Sequence, residues 1–99
     1  MRIIAKGTLR DFWRLNNRGD SEQPLKAWYQ EAKRASWNNS NEIKRQYRTA
    51  SPVGNNRIVF NIAGNKYRLV VKINYKLKIV FIRFIGTHAE YDKINAETI

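Results

Sequence analysis

The chain has no cysteine, two prolines, one methionine and one histidine. Without cysteine there is no disulfide framework and no thiolate zinc site, an absence that fits a reducing compartment. A single histidine among scattered carboxylates also lacks metal-ligand spacing. There is no Gly-rich phosphate loop and no serine or cysteine nucleophile motif. Long apolar runs are missing too. None approaches a membrane span, and Arg2-Ile3-Ile4-Ala5 is too short for a signal-peptide core. These absences lead us to expect a cytoplasmic protein with no membrane association, no metal and no other cofactor. Negative charge is scarcest where it matters most: from Ile43 to Ala89 there is no aspartate or glutamate, against ten lysines and arginines.

What is present reads as one folded basic unit, residues 1–99, with 42% hydrophobic and 27% charged residues. The net charge of +11 is not a tail. Residues 1–56 carry 11 basic against 5 acidic groups, and residues 57–99 carry 8 against 3. Self-repulsion of that size costs stability, and a polyanion or an acidic protein relieves it.

Hydrophobic periodicity divides the chain. Arg2-Ile3-Ile4-Ala5 suggests a short strand. Leu9, Phe12 and Trp13 follow at helical spacing, with Gly7 or Thr8 as the start, and Asn16 to Asp20 form a stop. A second helix, capped by Asp20 or Ser21, carries Leu25, Trp28, Tyr29, Ala32 and Ala35 on one stripe. Glu42 to Tyr47 suggests a helical stub, and Trp13, Trp28 and Trp37 suit core packing. Ser51 to Asn56 reads as a loop. Beyond it the period becomes two: Ile58, Phe60 and Ile62, then Tyr67, Leu69, Val71 and Ile73, point to one face. Arg57, Asn61, Arg68 and Lys72 fall on the other. A last strand, Lys78 to Ile85, is apolar on both faces apart from Arg83, which simple alternation groups with Phe81 and Ile85. The expected class is α+β, with helices on one face of a small antiparallel sheet and a short C-terminal helix.

After Gly86, Thr87-His88-Ala89-Glu90 has capping-box spacing. A helix starting there brings His88, Tyr91 and Asp92 to one side, beside a cationic sheet. Cleaving RNA without metal needs a base for the 2′-hydroxyl proton, an acid for the leaving 5′-oxygen, and cations for the phosphorane charge. His88 is the natural proton carrier. Each residue also has a structural explanation: a first-turn histidine, a tyrosine on a sheet edge, favourable first-turn acids, arginines paired with carboxylates.

Three segments carry a resemblance. Arg57-Ile58-Val59-Phe60-Asn61-Ile62, Gly64-Asn65-Lys66-Tyr67-Arg68-Leu69-Val70-Val71 and Phe81 through Asp92 resemble the HigB family of bacterial toxins. So do Phe12-Trp13 and Pro24-Leu25-Lys26-Ala27-Trp28-Tyr29. The resemblance implies a single RelE-like domain and the toxin of a type II toxin–antitoxin system. It implies a metal-independent mRNA interferase that cuts translated mRNA on the ribosome, leaving a cyclic phosphate and a 5′-hydroxyl. The implied partner is a HigA-type helix-turn-helix antitoxin, through which alone the toxin would meet operator DNA. Carried onto this chain, it implies His88 as the proton-transfer group, Tyr91 as its partner or a substrate contact, and Arg68 and Arg83 as phosphate stabilisers. Lys66, Lys72, Arg57 and Asn61 would contact RNA, and Asp92 would orient its neighbours. Two rivals keep a similar fold: a ParE-like toxin acting on DNA gyrase, and a non-catalytic RNA-binding domain. The sheet lacks aromatic pairs at RNP-like spacing, which counts against the second.

Overall fold

The computed structural model describes residues 1–99. In chain order it places β1 (Arg2–Ile4), α1 (Lys6–Trp13), a 3-10 turn (Gly19–Ser21), α2 (Glu22–Arg34) and α3 (Ser40–Gln46). Then follow β2 (Ser51–Gly54), β3 (Arg57–Ile62), β4 (Tyr67–Asn74), β5 (Ile79–Thr87) and α4 (His88–Tyr91). The sheet order is β1-β5-β4-β3-β2. From β2 to β5 it is an antiparallel meander, as the alternation implies. β1 lies parallel to β5, with Arg2 opposite Ile79 and Ile4 opposite Phe81, so the five-stranded sheet is mixed. The helices that separate β1 from the meander provide the long crossover a parallel pairing requires.

One face of the sheet carries the helices. Leu9, Phe12, Leu25, Trp28, Ala32, Trp37 and Ile43 pack on Ile58, Phe60, Ile62, Tyr67, Leu69, Val71 and Ile73. Phe60 is the hub, with Trp28, Tyr47 and Trp37 ring centroids at 5.4, 5.1 and 6.3 Å. Trp28 and Trp37 are therefore core residues, as expected. Trp13 is half-exposed, with the Lys26 ammonium 5.4 Å from its ring centroid.

Four local expectations are corrected. Ser51–Asn56 is not all loop: Ser51 and Pro52 pair with Val59 and Ile58 in an edge strand, where a proline's missing N–H does no harm. Asn55 and Asn56, at φ 50° and 60°, then form a two-residue hairpin turn of the kind asparagine tolerates. The helix starts differ too. α1 begins at Lys6, one residue before Gly7, because Ala5 takes a left-handed conformation. Neither Asp20 nor Ser21 caps α2; the Ser21 hydroxyl donates back to the Arg18 carbonyl at 2.6 Å.

The third correction concerns β5. Its pairing with β4 runs Leu69–Ile85, Val70–Phe84, then Val71–Ile82, so Arg83 is the extra residue of a β-bulge. The bulge resets the alternation. Val80 and Ile82 face the helices before it and Ile85 after it, while Phe84 turns to the opposite side. Arg83 does not share a continuous face with Phe81 and Ile85.

The fourth concerns the sheet's second face, which is not uniformly open. Val59, Val70 and Phe84 at its centre are covered by Tyr91, Ile94, Ala96 and Ile99. Arg57 is only 9% exposed beneath this segment, donating to the main-chain oxygens of Asn55 at 3.1 Å and Ile99 at 2.7 Å. β5 is thus covered on both sides, as its apolar composition implied.

Candidate active site at the margin of the basic face

The site begins where β5 ends. Gly86 is buried, and a Cβ there would sit 2.6 Å from the Phe84 ring and about 3 Å from Glu90, so only glycine fits. The capping box then forms in both directions. Thr87 Oγ1 accepts from the Glu90 N–H at 3.2 Å, and Glu90 Oε1 accepts from the Thr87 N–H at 2.7 Å. The Thr87 N–H, more than any other neighbour, holds the Glu90 carboxyl below its ordinary range. This double closure fixes His88 at the start of α4.

His88 turns toward the sheet. Its Nε2 lies 3.3 Å from Arg68 Nε and 3.1 Å from Asn65 Oδ1. The Arg68 guanidinium lies over the Tyr91 ring, 5.2 Å from its centroid, and Tyr91 leans on Phe84 at 6.5 Å. Asn61 pairs in register with Arg68 and is half-buried at the same end of the face. An imidazole, a guanidinium, a phenol and an amide therefore meet at one corner. A cation and a hydrogen-bonding phenol beside a proton carrier suit attack on a phosphate, whose charge grows in the transition state.

The remaining residues named from the sequence lie elsewhere. Arg83 is exposed and donates from Nε to the Ile99 main-chain oxygen at 3.1 Å, beside Arg57. Lys72 pairs in register with Arg57 and is exposed. Arg57, Lys72 and Arg83 thus form a second basic cluster, farther along the face. Lys66 is exposed but bound to the Asp20 carboxylate. Asp92 is exposed, belongs to neither of the two ion pairs, and meets His88 only through its main-chain N–H, which donates to the His88 carbonyl at 2.9 Å. No three histidine and carboxylate side chains lie together as metal ligands would.

Two contributors went unread in the sequence. Asn65 sits in the loop between β3 and β4, where Ala63 and Gly64 take positive φ and bring it beside His88. Its one sequence signal was the Gly64-Asn65-Lys66 motif, which also serves as an ordinary turn. Asp20 anchors that loop: its carboxylate accepts from the Tyr67 hydroxyl at 2.5 Å and from Lys66. The Lys66 ammonium first, then the Tyr67 hydroxyl, hold the Asp20 carboxyl below its usual range, and Asp20 raises Lys66 in turn. Burial is the main cause of the upward shift at Tyr67.

The linkage has a definite sign. A carboxyl lowered in the fold stabilises it above the unfolded value, about pH 4, and that contribution disappears as pH falls through the lower folded value. The stability gap between wild type and Asp20→Asn should therefore be flat from about pH 5 to 8 and close below about pH 4. Urea denaturation across that range measures it; a gap that widens in acid would contradict the assignment.

A mixed sheet with helices on one face, and a second face that carries basic side chains at either end, one of them in a histidine–arginine–tyrosine corner, defines a small basic α+β protein. Residues 21–94, well over half of the chain, match the HigB toxin family, described as the RelE-like toxic component of a toxin-antitoxin system. The chain belongs to that family, and its toxin role brings with it an antitoxin as partner. No curated protein matches the chain. No helix is long and apolar enough to cross a membrane.

Proposed function

We propose that this toxin is a ribosome-dependent mRNA endoribonuclease of the cytoplasm, contained in one RelE-like domain and neutralised by a HigA-type helix-turn-helix antitoxin. The observation that carries the proposal is the corner itself: His88 Nε2 within 3.3 Å of Arg68, with that guanidinium over Tyr91. In the reaction, His88 takes the proton of an mRNA 2′-hydroxyl. The 2′-oxygen bonds to the adjacent phosphorus, the bond from phosphorus to the 5′-oxygen breaks, and Tyr91 gives that oxygen its proton. Solvent then returns the proton from His88 to Tyr91. The products are a 2′,3′-cyclic phosphate and a 5′-hydroxyl, and no metal enters the steps.

Arg68 stabilises the pentavalent phosphate, where removal of one such donor typically costs about 10²- to 10³-fold in rate. Lys72 and Arg83 are exposed and stand apart from His88, so their role is to hold neighbouring phosphates of mRNA or ribosomal RNA rather than the reacting one. Arg57, expected from the sequence to contact RNA, is instead buried and holds the Ile99 main chain. Asn61 and Lys66 contact RNA at the near end. Asp92 orients α4. Operator DNA is met only through the antitoxin.

The test uses purified toxin, freed of antitoxin, in two parallel reactions: translating ribosomes with mRNA, and gyrase supercoiling. The expected result is cut mRNA and unaffected gyrase. Gyrase inhibition with intact mRNA would favour a ParE-like action, and ribosome binding without cleavage would leave an RNA-binding protein. Because affinity rests on lysine and arginine contacts to phosphate, ribosome binding should weaken steeply with salt, by roughly 10³-fold between 50 and 200 mM for six or more phosphate contacts. A flat response in equilibrium binding would mean that the charge is incidental.

A further inference from the structure

His88 Nε2 has two neighbours that make opposite demands on it. Arg68 Nε–H, at 3.3 Å, can bond only to a bare lone pair. Asn65 Oδ1, at 3.1 Å, can bond only to an N–H. One nitrogen cannot satisfy both. If Arg68 holds it, a neutral ring carries its proton on Nδ1. If Asn65 holds it, the proton is on Nε2 and Nδ1 keeps its lone pair. His88 Nδ1 itself has no hydrogen bond within the chain and is not among the side-chain atoms sealed from solvent without a partner. It is the nitrogen open to a substrate proton.

Phosphate changes the balance. A guanidinium bonds a phosphate more strongly than a neutral imidazole nitrogen, because both partners are then charged and two parallel N–H···O bonds can form. An RNA phosphate arriving at the basic corner therefore draws Arg68 Nε–H away from the ring. Asn65 then becomes the remaining partner of Nε2, and the proton moves there through solvent. We infer that Asn65 is a positioning residue that fixes the Nε2–H form of His88 once Arg68 is engaged by an anionic RNA phosphate, so that the base, Nδ1, is unmasked by substrate binding. This rests on the proposed ribonuclease reading and assigns to Asn65 a role that neither the motif nor the family description contains.

The surroundings are consistent with a local switch. Besides Arg68, the charged and titratable groups near the His88 turn are Tyr91 and Glu90 on its own short helix, Asp92 and Lys93 just beyond it, Arg18 near Glu90, and Lys66 in the Asn65 loop. Glu90 is committed to Thr87, and Lys66 to Asp20. The loop is held in place by the same Asp20 through Tyr67, so Asn65 is presented from an anchored hairpin.

His88 is the one histidine of the chain, so its ring nitrogens can be followed by ¹⁵N NMR without overlap. The probe is a short RNA oligonucleotide with 2′-O-methyl ribose at every position, which lacks the attacking hydroxyl and binds without being cut. Free protein at neutral pH is expected to show the proton on Nδ1. Adding the probe to wild type should move it to Nε2. Asn65→Ala should bind the probe but keep the Nδ1–H form, and its mRNA cleavage should fall about 10-fold or more with an altered pH profile. Asn65→Asp, whose carboxylate is a stronger acceptor than the amide, should show the Nε2–H form with the probe bound. Inorganic phosphate distinguishes a general anion response from one that needs an RNA strand; either response supports the switch.

An unchanged tautomer on probe binding to wild type, or the same shift in Asn65→Ala, would overturn the inference. An Nδ1–H form in probe-bound Asn65→Asp would do so as well, since it would mean that an acceptor at this position does not fix the ring. These outcomes are independent of whether wild type cuts mRNA. Failure to cut would defeat the ribonuclease reading whatever the ring does, and cutting without a tautomer shift would defeat this inference alone.

Discussion

His88→Ala should lower mRNA cleavage on translating ribosomes by roughly 10²- to 10⁴-fold, the usual contribution of a positioned acid–base group. The fold should survive the change. His88 is half-buried at the start of a one-turn helix, and the capping box that holds the turn is made by Thr87 and Glu90. Circular dichroism and urea midpoints near those of wild type should therefore accompany the lost activity. Relief of growth inhibition in cells expressing the variant is the matching result in vivo. Cleavage within a few-fold of wild type would remove His88 from the chemistry and leave arginine, lysine and tyrosine to carry it.

Phe60→Ala should fail differently. Phe60 is 1% exposed and is packed by Trp28, Tyr47 and Trp37 at once. Removing its ring deletes buried surface and leaves a cavity that three rigid aromatic groups cannot collapse into. Such truncations cost about 3–5 kcal/mol, against total stabilities of about 5–15 kcal/mol for small domains. A fall of that size in urea denaturation is expected, with toxicity lost through unfolding. A loss below about 1 kcal/mol would mean that the helices are not held to the sheet through this residue. The pair of variants separates the two ways in which toxicity can disappear.

The parts of the fold that were legible in the sequence share one property: burial of a single face. β3 and β4 alternate cleanly because Ile58, Phe60, Ile62, Tyr67, Leu69, Val71 and Ile73 all face the helices. The α2 stripe is legible for the same reason. β5 was harder, because its residues are apolar on both sides and a one-residue bulge at Arg83 leaves no mark on such a run. β2 was hidden by Pro52, Gly54 and two asparagines, which also compose a loop. The cover formed by Ile94, Ala96 and Ile99 has no periodicity, since these residues drape over Val59, Val70 and Phe84 rather than forming a regular element.

The candidate site divides in the same way. His88 was visible because a local signal, the Thr87–Glu90 box, places it, and because no other histidine competes for the role. Its meeting with Arg68 follows from strand order, which puts Arg68 opposite Gly86. Asn65 was not visible, since its contact with His88 joins a hairpin loop to a helix start 23 residues later. Asp20 misled: an acid before a helix reads as a cap, yet a tertiary hydroxyl and an ammonium outcompete the helix for it. Arg83 was grouped with His88 through the family resemblance, whereas in the structure it sits at the β5 bulge and shares the Ile99 main-chain oxygen with Arg57.

The most direct measurement is the chemistry of the ends left on mRNA cut by antitoxin-free toxin on translating ribosomes. Attack by the neighbouring 2′-hydroxyl predicts fragments with 2′,3′-cyclic phosphate and 5′-hydroxyl ends, both absent when His88→Ala replaces the wild type. Fragments bearing 5′-phosphate and 3′-hydroxyl ends would mean that water, not the 2′-hydroxyl, is the nucleophile, and would contradict the account.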